Sequence, residues 1–222
     1  MDRLKCLVCL QPVSEPLFLS NYFSPPRIIC MECEAAFEQL QGQRCPHCHR
    51  LLVDEKTCSD CRFMHQYFKP LDRIQILYDY NDFMKEVIHA YKGRGDIKLA
   101  RVFAYLLRGH LSYMKSFDAV IALPTSDEKL KQRGFSQMEE ILSHLPVPCS
   151  RCLTMSSRLK QSELTKKERL KQVNPFAVSR PVDGRILLID DIYTTGLTVH
   201  HAAEVLRAQG VHTVEVLTFA RP

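Results

Sequence analysis

The sequence predicts an α/β fold in which a mostly parallel sheet is flanked by helices and preceded by a small cysteine-rich, zinc-binding domain. Beyond residue 72, apolar strand-like runs alternate with helical segments, which is typical of parallel sheets. One run, Ile186–Ile189, is continuously apolar, as expected of a strand buried on both faces. All ten cysteines occur in C-x-x-C pairs, and four pairs lie within the first 61 residues. We therefore predict a zinc-binding domain over residues 1–67 and an α/β domain over residues 68–222.

The composition is that of a globular protein, with 45% hydrophobic and 25% charged residues among 222. No apolar stretch approaches the roughly 18 residues that a membrane-spanning helix needs. Met1–Lys5 leads to Cys6 without the apolar segment of a signal peptide, so we expect a cytoplasmic protein that does not insert into membranes. The formal net charge is +5, and Arg151–Lys171 is strongly basic, which favours a polyanionic partner, either diphosphate or nucleic acid.

Four C-x-x-C pairs crowd the amino-terminal region, and in a reducing cytoplasm such pairs indicate bound metal rather than disulfides. Two pairs supply the four thiolates of one tetrahedral zinc site, so four pairs predict two structural zinc ions with closed coordination. A small cysteine-rich domain also gains much of its folding free energy from its metal. The predicted ligands are Cys6, Cys9, Cys30, Cys33, Cys45, Cys48, Cys58 and Cys61.

The spacing leaves open how these pairs combine. A helical stretch, Glu34–Leu40, follows Cys33 as in a treble-clef-like site, and it favours joining the first pair to the second. The short separation of the third and fourth pairs favours a second, ribbon-like site. The alternative is an interleaved arrangement, in which the first pair joins the third and the second joins the fourth. The isolated pair Cys149 and Cys152 is predicted to consist of free thiols.

Polar turns divide the α/β domain into strands and helices. Asn81 and Asp96 are predicted to cap two helices, the first of which ends at the basic turn Lys92–Gly95. The predicted strands are Arg73–Tyr80, Asp118–Leu123, Ile186–Ile189 and His212–Ala220. The other predicted helices are one that follows Gln137 and ends at Leu145, and one at Val199–Gln209 that is closed by Gly210.

A polar loop follows the buried strand Ile186–Ile189. Asp190 and Asp191 come first, and Thr194–Thr198 then leads into a helix. Backbone N–H groups and hydroxyls at a helix N-terminus bind phosphate, and adjacent carboxylates accept hydrogen bonds from sugar hydroxyls. The loop therefore predicts a ligand with both a 5′-phosphate and a free ribose diol. Ligands of parallel sheets bind at the carboxyl ends of strands, where Leu123–Thr125 also lies.

The segment Arg185–Thr198, RILLIDDIYTTGLT, resembles the phosphoribosyl diphosphate (PRPP) binding signature of type I phosphoribosyltransferases. The resemblance implies a type I phosphoribosyltransferase-like fold with Asp190 and Asp191 as the catalytic pair. Both would bind the ribose hydroxyls, and Asp191 would face the cation that develops at C1. It also implies Mg²⁺, held mainly by the bound PRPP. The residues implied to bind the 5′-phosphate are Thr194, Thr195, Gly196, Leu197 and Thr198.

Further segments make the resemblance narrower: KGRGD at Lys92–Asp96, RGFSQ at Arg133–Gln137 and a run rich in basic residues at Gln161–Phe176. Together with the loop, they resemble the ComF family of competence proteins over essentially the whole chain. Ser136 departs from that family, which more often has Asn there. The resemblance implies a function in DNA uptake and natural transformation, beside a ComFA-like competence helicase. The residues it implies for the diphosphate are Pro124, Thr125 and Arg133, with Lys92 and Arg169 as weaker candidates.

Two functions are consistent with these motifs. The first is a Mg²⁺-dependent phosphoribosyltransferase, which transfers a pentosyl group to an acceptor that the sequence does not identify. The alternative is a non-catalytic adaptor that binds single-stranded DNA through Arg151–Lys171 and the zinc domain. Phe63, Tyr67 and Phe68 suit either stacking on bases or sealing of the junction between the domains. Three polar side chains are interpreted either as ligand contacts or as structural hydrogen-bonders: Gln137, Gln161 and Asn174.

Overall fold

The computed structural model describes residues 4–13, 26–53, 56–156 and 173–222. The two amino-terminal helices are α1 (Met31–Ala35) and α2 (Ser59–Met64). The strands are β1 (Arg73–Asp79), β2 (Ala119–Ala122), β3 (Leu153–Met155), β4 (Phe176–Val178), β5 (Arg185–Ile192) and β6 (Thr213–Arg221). The later helices are α3 (Asp82–Gly93), α4 (Leu99–Leu107), α5 (Leu111–Met114), α6 (Asp127–Arg133), α7 (Gln137–Ser143) and α8 (Leu197–Ala208), with a 3₁₀ turn at Arg108–His110. Among these helices, none has the length and apolar character that a membrane crossing requires.

The main sheet consists of β1, β6, β5 and β2 in that order, and all neighbouring strands are parallel. This arrangement confirms the predicted α/β fold with a parallel sheet and flanking helices. β5 lies inside the sheet, and its apolar run Ile186–Ile189 is fully buried, as predicted. Ile189 pairs with Ala122 on one side and with Leu217 on the other. The carboxyl ends of β2 and β5 therefore lie side by side.

Two hydrophobic cores lie on opposite faces of this sheet. Along β5, Leu187 and Ile189 belong to the first core, and Ile186 and Leu188 belong to the second, because successive strand residues point to opposite faces. Helices α3, α4 and α7 complete the first core, whereas α8 and the pair β3–β4 complete the second. Each core also takes in amino-terminal cysteines: Cys6, Cys30 and Cys33 in the first, and Cys45, Cys48, Cys58 and Cys61 in the second.

Helix boundaries differ from the predictions by a few residues, for local reasons. Asn81 caps α3 as predicted, since its Oδ1 accepts a hydrogen bond from the Met84 N–H at 2.9 Å. Asp96 is not the N-cap residue of α4, because the helix begins later, at Leu99, with Lys98 at the N-cap position; the Asp96 Oδ1 instead accepts a hydrogen bond from the Lys98 N–H at 3.2 Å in the preceding turn. α8 begins at Leu197 rather than Val199, because Gly196 directly before it adopts φ +83°. α7 ends at Ser143, two residues before the predicted end.

The first helix and one pair of strands also differ from the predictions. The helix predicted at Glu34–Leu40 is replaced by α1, which begins earlier because the Cys30 Sγ accepts a hydrogen bond from the Cys33 N–H at 3.5 Å. The antiparallel pair β3–β4 was not predicted, since three residues are too few to show strand alternation. This pair packs on the second core, beside α8.

Polar contacts join the cysteine-rich region to the α/β domain. Tyr105 of α4 donates a hydrogen bond to the Glu34 carboxylate at 2.9 Å, and the His49 Nε2 lies 2.9 Å from the backbone oxygen of Ile74. Phe68 packs against the rings of His200 and His201, with centroid distances of 5.5 and 5.3 Å. Phe68 therefore seals the junction, which is one of the two interpretations the sequence allows for the aromatic residues there.

Candidate functional site

The eight predicted metal ligands form two groups of four cysteines, in which all four Sγ atoms lie within 4.8 Å of one another. Sulfur pairs approach to 3.6 Å in one group and 3.4 Å in the other. Thiolates about 2.3 Å from a tetrahedral zinc ion lie about 3.8 Å apart, so both groups have the dimensions of a zinc site. The first site is Cys6, Cys9, Cys30 and Cys33, and the second site is Cys45, Cys48, Cys58 and Cys61. The sequential pairing is therefore confirmed, and the interleaved alternative is wrong.

Both sites share one local design. In each, a tight turn carries one C-x-x-C pair, and the residue after it, Leu10 or His49, adopts a positive φ of 62° or 59°. The other pair begins a helix, with Cys30 capping α1 and Cys58 capping α2 through their Sγ atoms. The second site thus repeats the first. The prediction of a ribbon-like second site is wrong, because Cys58 begins a helix rather than a hairpin.

The surroundings favour the thiolate form, which is the form that binds metal, at one cysteine of each site, whereas burial and contacts with neighbouring cysteines raise the pKa of Cys33 and Cys61. A hydrogen bond with the Cys61 side chain and the charge of Arg221 lower the pKa of Cys48 to about 5, against the effect of burial. At Cys6, burial raises the pKa, but hydrogen bonds from backbone N–H groups outweigh it and bring the pKa to about 7. Each site therefore contains at least one cysteine prepared for deprotonation.

Cys149 and Cys152 belong to neither four-cysteine group of the described residues, and their assignment as free thiols stays a prediction. The segment that carries them runs along the outer edge of β2, where the Val120 N–H donates to the Pro148 oxygen at 2.9 Å. Cys152 is buried in the second core, whereas Cys149 is exposed.

A cleft of about 510 Å³ opens at the carboxyl ends of β2 and β5. It collects side chains from α3, the end of β2, α6, the end of β5 and the start of α8. The predicted site residues that line it are Lys92, Pro124, Thr125, Arg133, Asp190, Asp191, Thr194 and Thr198. The remaining three predicted residues, Thr195, Gly196 and Leu197, are not among its lining residues and instead build the turn that leads into α8.

Asp190 and Asp191 belong to the end of β5, which continues to Ile192. Asp191 forms an ion pair with Lys92, and its N–H donates to the Asp190 carboxylate at 2.9 Å. Burial and the charge of Asp191 raise the pKa of Asp190 to about 7, although Lys92 acts in the opposite direction. Asp190 is therefore partly protonated at neutral pH, and the adjacent carboxyl groups offer oxygen acceptors to the cleft.

The N-terminus of α8 lies at the same cleft. Gly196 precedes it in a left-handed conformation and has no side chain to cap the first turn, where the Leu197 N–H makes a long contact of 3.5 Å with the Thr195 Oγ1. Thr194 and Thr198 add their hydroxyl groups to the cleft wall. Uncapped N–H groups at the positive end of a helix dipole bind phosphate.

Gln137 orients the predicted arginine. The Arg133 Nη1 donates to the Gln137 Oε1 at 2.8 Å, and the Gln137 backbone oxygen accepts a hydrogen bond from Tyr91 at 2.7 Å. Gln137 is 4% exposed, and its Nε2 has no partner within the described ranges. Gln137 therefore acts as a structural hydrogen-bonder that also offers a spare donor to the cleft.

Several cleft residues were missed by the sequence analysis. Four polar ones surround α6: Ser126, Glu128, Lys129 and Gln132. Helical spacing from Thr125 and Arg133, both predicted, is a signal that identifies them. Met155 lies on β3, which was not predicted, and it carried no such signal.

Of three other predicted positions, one lies away from the cleft and two fall outside the described residues. Asn174 donates hydrogen bonds to the His201 backbone oxygen at 2.9 Å and to Glu204 at 2.8 Å, so it is a structural hydrogen-bonder. Gln161 and Arg169 lie outside the described residues, as does most of the basic segment Arg151–Lys171.

The parallel sheet, with its acidic pair and helix N-terminus at one edge, defines an α/β domain of the phosphoribosyltransferase class. The family model described as "Phosphoribosyl transferase domain" matches residues 110–222. An orotate phosphoribosyltransferase structure from Aeropyrum pernix is 20% identical, covers 60% of this chain and 64% of its own, and superposes with a TM-score of 0.37.

Two curated relatives extend over nearly the whole chain. The competence protein ComFC of Bacillus subtilis is 30% identical, over 95% of this chain and 91% of its own length. The ComFC protein of Streptococcus pneumoniae is 29% identical, over 98% of this chain and 100% of its own length. The chain belongs to the ComFC family of competence proteins and contains a phosphoribosyltransferase domain.

Proposed function

We propose that this chain binds PRPP with Mg²⁺ in the cleft between β2 and β5 and acts as a phosphoribosyltransferase in DNA uptake. One observation carries the proposal: an acidic pair, a helix N-terminus preceded by glycine and two cationic side chains meet at a single cleft. PRPP has a matching set of groups, namely a ribose diol, a 5′-phosphate and a diphosphate.

Each group of PRPP has a partner of complementary chemistry in the cleft. The 5′-phosphate binds at the N-terminus of α8, with the hydroxyls of Thr194 and Thr198 beside it. Asp190 and Asp191 accept hydrogen bonds from the ribose hydroxyls. Arg133 and Lys92 face the diphosphate. Because Lys92 also forms an ion pair with Asp191, its ammonium group lies between that carboxylate and the diphosphate.

In the transfer step, the bond between C1 and the diphosphate oxygen breaks, and the diphosphate leaves with the electron pair. The bond between C1 and the acceptor nucleophile forms, and the nucleophile's proton goes to solvent. The carboxylate of Asp191 stabilises the positive charge that develops at C1, while the other contacts hold the reacting atoms in place. When bound, Mg²⁺ supplies charge neutralisation at the diphosphate, and the carboxylate oxygens of Asp190 and Asp191 are of the type it prefers.

The biological setting is proposed from the relatives. Two of them are named competence protein ComFC, and others are named DNA utilization protein YhgH. We assign this chain to the same setting, in the cytoplasm and beside a ComFA-like helicase. We assign structural zinc to both four-cysteine sites.

Titration calorimetry with PRPP and Mg²⁺ tests the proposal. The wild-type chain is expected to bind, and Asp190→Ala combined with Asp191→Ala is expected to weaken binding about 100-fold or more, because two charge-assisted contacts are lost. Asp183→Ala is the matched control, since Asp183 is exposed at the opposite end of β5. Equal affinity in the double variant and the wild type would remove the basis of the proposal.

A second candidate function, binding of single-stranded DNA without catalysis, is favoured by the surface at the end of α2. Tyr67 is 53% exposed, its ring lies 5.1 Å from that of Phe63, and exposed Lys69 follows two residues later in the chain. Aromatic rings beside a cation suit stacking on unpaired bases. Fluorescence anisotropy with a labelled oligonucleotide tests this function: Tyr67→Ala should weaken binding, and affinity should fall as salt rises. If neither Tyr67→Ala nor a rise in salt concentration changed the affinity for the oligonucleotide, this function would be excluded.

A further inference from the structure

A buried path of contacts connects the second four-cysteine site to the turn that precedes α8. It begins at Asp60, which lies between the ligands Cys58 and Cys61 on α2 and is 7% exposed. Arg50, just after the other ligand pair, donates to the Asp60 Oδ2 at 2.7 Å. The Asp60 carboxylate is thus held between both halves of the second site.

Arg221 continues the path from Asp60 to Tyr193. It is the last residue of β6, it is 2% exposed, and its Nη2 lies 3.2 Å from the Asp60 Oδ2. Its Nη1 donates to the Tyr193 backbone oxygen at 3.4 Å, and its guanidinium carbon lies 4.8 Å from the centroid of the Tyr193 ring. A buried guanidinium that stacks on a ring and pairs with a carboxylate fixes both partners.

Tyr193 in turn supports the phosphate loop, Thr194–Thr198. Its side chain is 3% exposed, and its hydroxyl lies so close to Gly196 that a methyl group added there would collide with it. Gly196 adopts φ +83°, and its backbone oxygen is held by the His200 Nδ1 at 2.8 Å. Tyr193 therefore defines the conformation from which the first turn of α8 starts.

The described contacts of the first site connect it to helices on the other face of the sheet and not to the phosphate loop. Glu34 and Ala36, next to its last ligand Cys33, bond to Tyr105 and Asn81, which belong to the helices on the other face of the sheet. The two sites thus differ in what their metal can influence, although their local designs are the same.

We propose that Tyr193 and Arg221 are positioning residues, through which the metal at the second site holds the phosphate loop in the conformation that binds phosphate. Loss of that metal frees Asp60 and Arg221, and Tyr193 then loses the contact that fixes its ring against Gly196. The proposal relies on the proposed function only for the identity of the ligand, because order in the loop is measurable without PRPP.

Hydrogen exchange of the zinc-loaded full chain, followed by mass spectrometry, tests the proposal. Arg221→Met keeps all eight ligands, so it should retain two zinc ions per chain while the amides of residues 194–198 exchange about tenfold faster. PRPP affinity should fall by a similar factor. Tyr193→Leu should act like Arg221→Met, whereas Tyr193→Phe should preserve most of the protection, since it keeps the ring under the guanidinium.

Paired cysteine variants supply the control. Cys58→Ser with Cys61→Ser removes one helix-capping pair from the second site, and Cys30→Ser with Cys33→Ser removes the matching pair from the first site. Only the second-site variant should speed exchange in the loop. If either double variant fails to fold, the Arg221 and Tyr193 variants still test the proposal, because they keep all eight cysteines.

Two results would overturn the proposal: unchanged loop exchange in Arg221→Met with both zinc ions bound, or equal loop exchange in the two cysteine variants. A third result separates the two proposals. If the wild type fails to bind PRPP while loop exchange responds as described, the coupling stands and the proposed function is wrong.

Discussion

The two four-cysteine sites have the same local design and different neighbours. Each combines a tight turn with a helix capped by a cysteine, and the residue after each turn pair has a positive φ near 60°. The first site packs into the core formed with α3, α4 and α7, and the second packs into the core formed with α8. The same four-cysteine motif therefore packs against each of the two faces of one parallel sheet.

The difference shows that tertiary contacts, and not the local motif, determine which part of the molecule each four-cysteine site is connected to. The first site ends at polar contacts with Tyr105 and Asn81. The second site is connected through Asp60, Arg221 and Tyr193 to Gly196, in the turn that precedes α8. We therefore expect both sites to stabilise the chain and only the second to influence ligand binding.

Removal of both metals should have the largest effect, because structural zinc sites contribute about 10–16 kcal/mol of apparent binding free energy. A strong chelator is expected to unfold residues 1–67, the proposed zinc domain, while the parallel sheet remains. Limited proteolysis combined with metal analysis measures this. Metal content near zero before chelation would refute the two zinc sites. Loss of the sheet together with the cysteine-rich region would show that the two parts are not separate units.

Gly196→Ala should have the next largest effect and tests the loop end of the second-site path. Alanine is strained at φ +83° and would also collide with the Tyr193 phenol. Gly210→Ala is the matched control at the other end of α8, with φ +99° and open space around its Cα. We expect PRPP affinity to fall about 100-fold for Gly196→Ala and to stay near the wild-type value for Gly210→Ala. If calorimetry gave similar PRPP affinities for Gly196→Ala and Gly210→Ala, the proposed role of Tyr193 in fixing the loop would be contradicted.

A change of pH should have a smaller effect, confined to the cleft. Because the pKa of Asp190 is raised from its ordinary 3.8 to about 7, PRPP affinity should rise about tenfold between pH 6 and pH 8, as the acceptor carboxylate forms. Asp190→Asn should flatten this dependence, leaving only the titration of PRPP itself. Equal slopes in the two proteins would exclude Asp190 as the titrating group.

The same pKa has the opposite consequence for folding. Between pH 4 and pH 7 the folded protein keeps a proton on Asp190 that the unfolded chain has released, so this stabilisation is present at low pH and is lost as pH rises through 7. Urea unfolding at pH 6, 7 and 8 should therefore show a decline in the free energy of unfolding that Asp190→Asn lacks. A variant that declines as steeply as the wild type would contradict this assignment.

Tyr105→Phe should have the smallest effect and tests the first site. It removes one half-buried hydrogen bond to Glu34, so the free energy of unfolding should fall by about 0.5–1.5 kcal/mol. PRPP affinity should stay at the wild-type value, in contrast to Arg221→Met. A loss of affinity in Tyr105→Phe would mean that both sites are coupled to the cleft.

The features predicted from the sequence are those whose chemistry is local. The eight cysteines that form the two four-cysteine groups were identified as candidate ligands because the C-x-x-C spacing is itself the signal of a metal site. The order of strand, acidic pair and helix around Asp190 and Asp191 was identified for the same reason, and the structure keeps it. Even the sequential grouping of the cysteines was favoured by short-range spacing.

The features that were missed depend on residues far apart in the chain. Asp60 and Arg221 are separated by 161 positions, and no local pattern marks either as part of a buried ion pair. Met155 enters the cleft from β3, a strand too short to show alternation. The boundary error at α1 arose because a cysteine, which was considered only as a ligand, also acts as a helix cap.

A crystal structure of the zinc-loaded chain with PRPP and Mg²⁺ tests the central claim most directly. The 5′-phosphate should lie at the N-terminus of α8, the ribose hydroxyls on Asp190 and Asp191, and the diphosphate beside Arg133. The space left around C1 would then define the acceptor. Density for PRPP at any other place, or an empty cleft at saturating ligand, would contradict the claim.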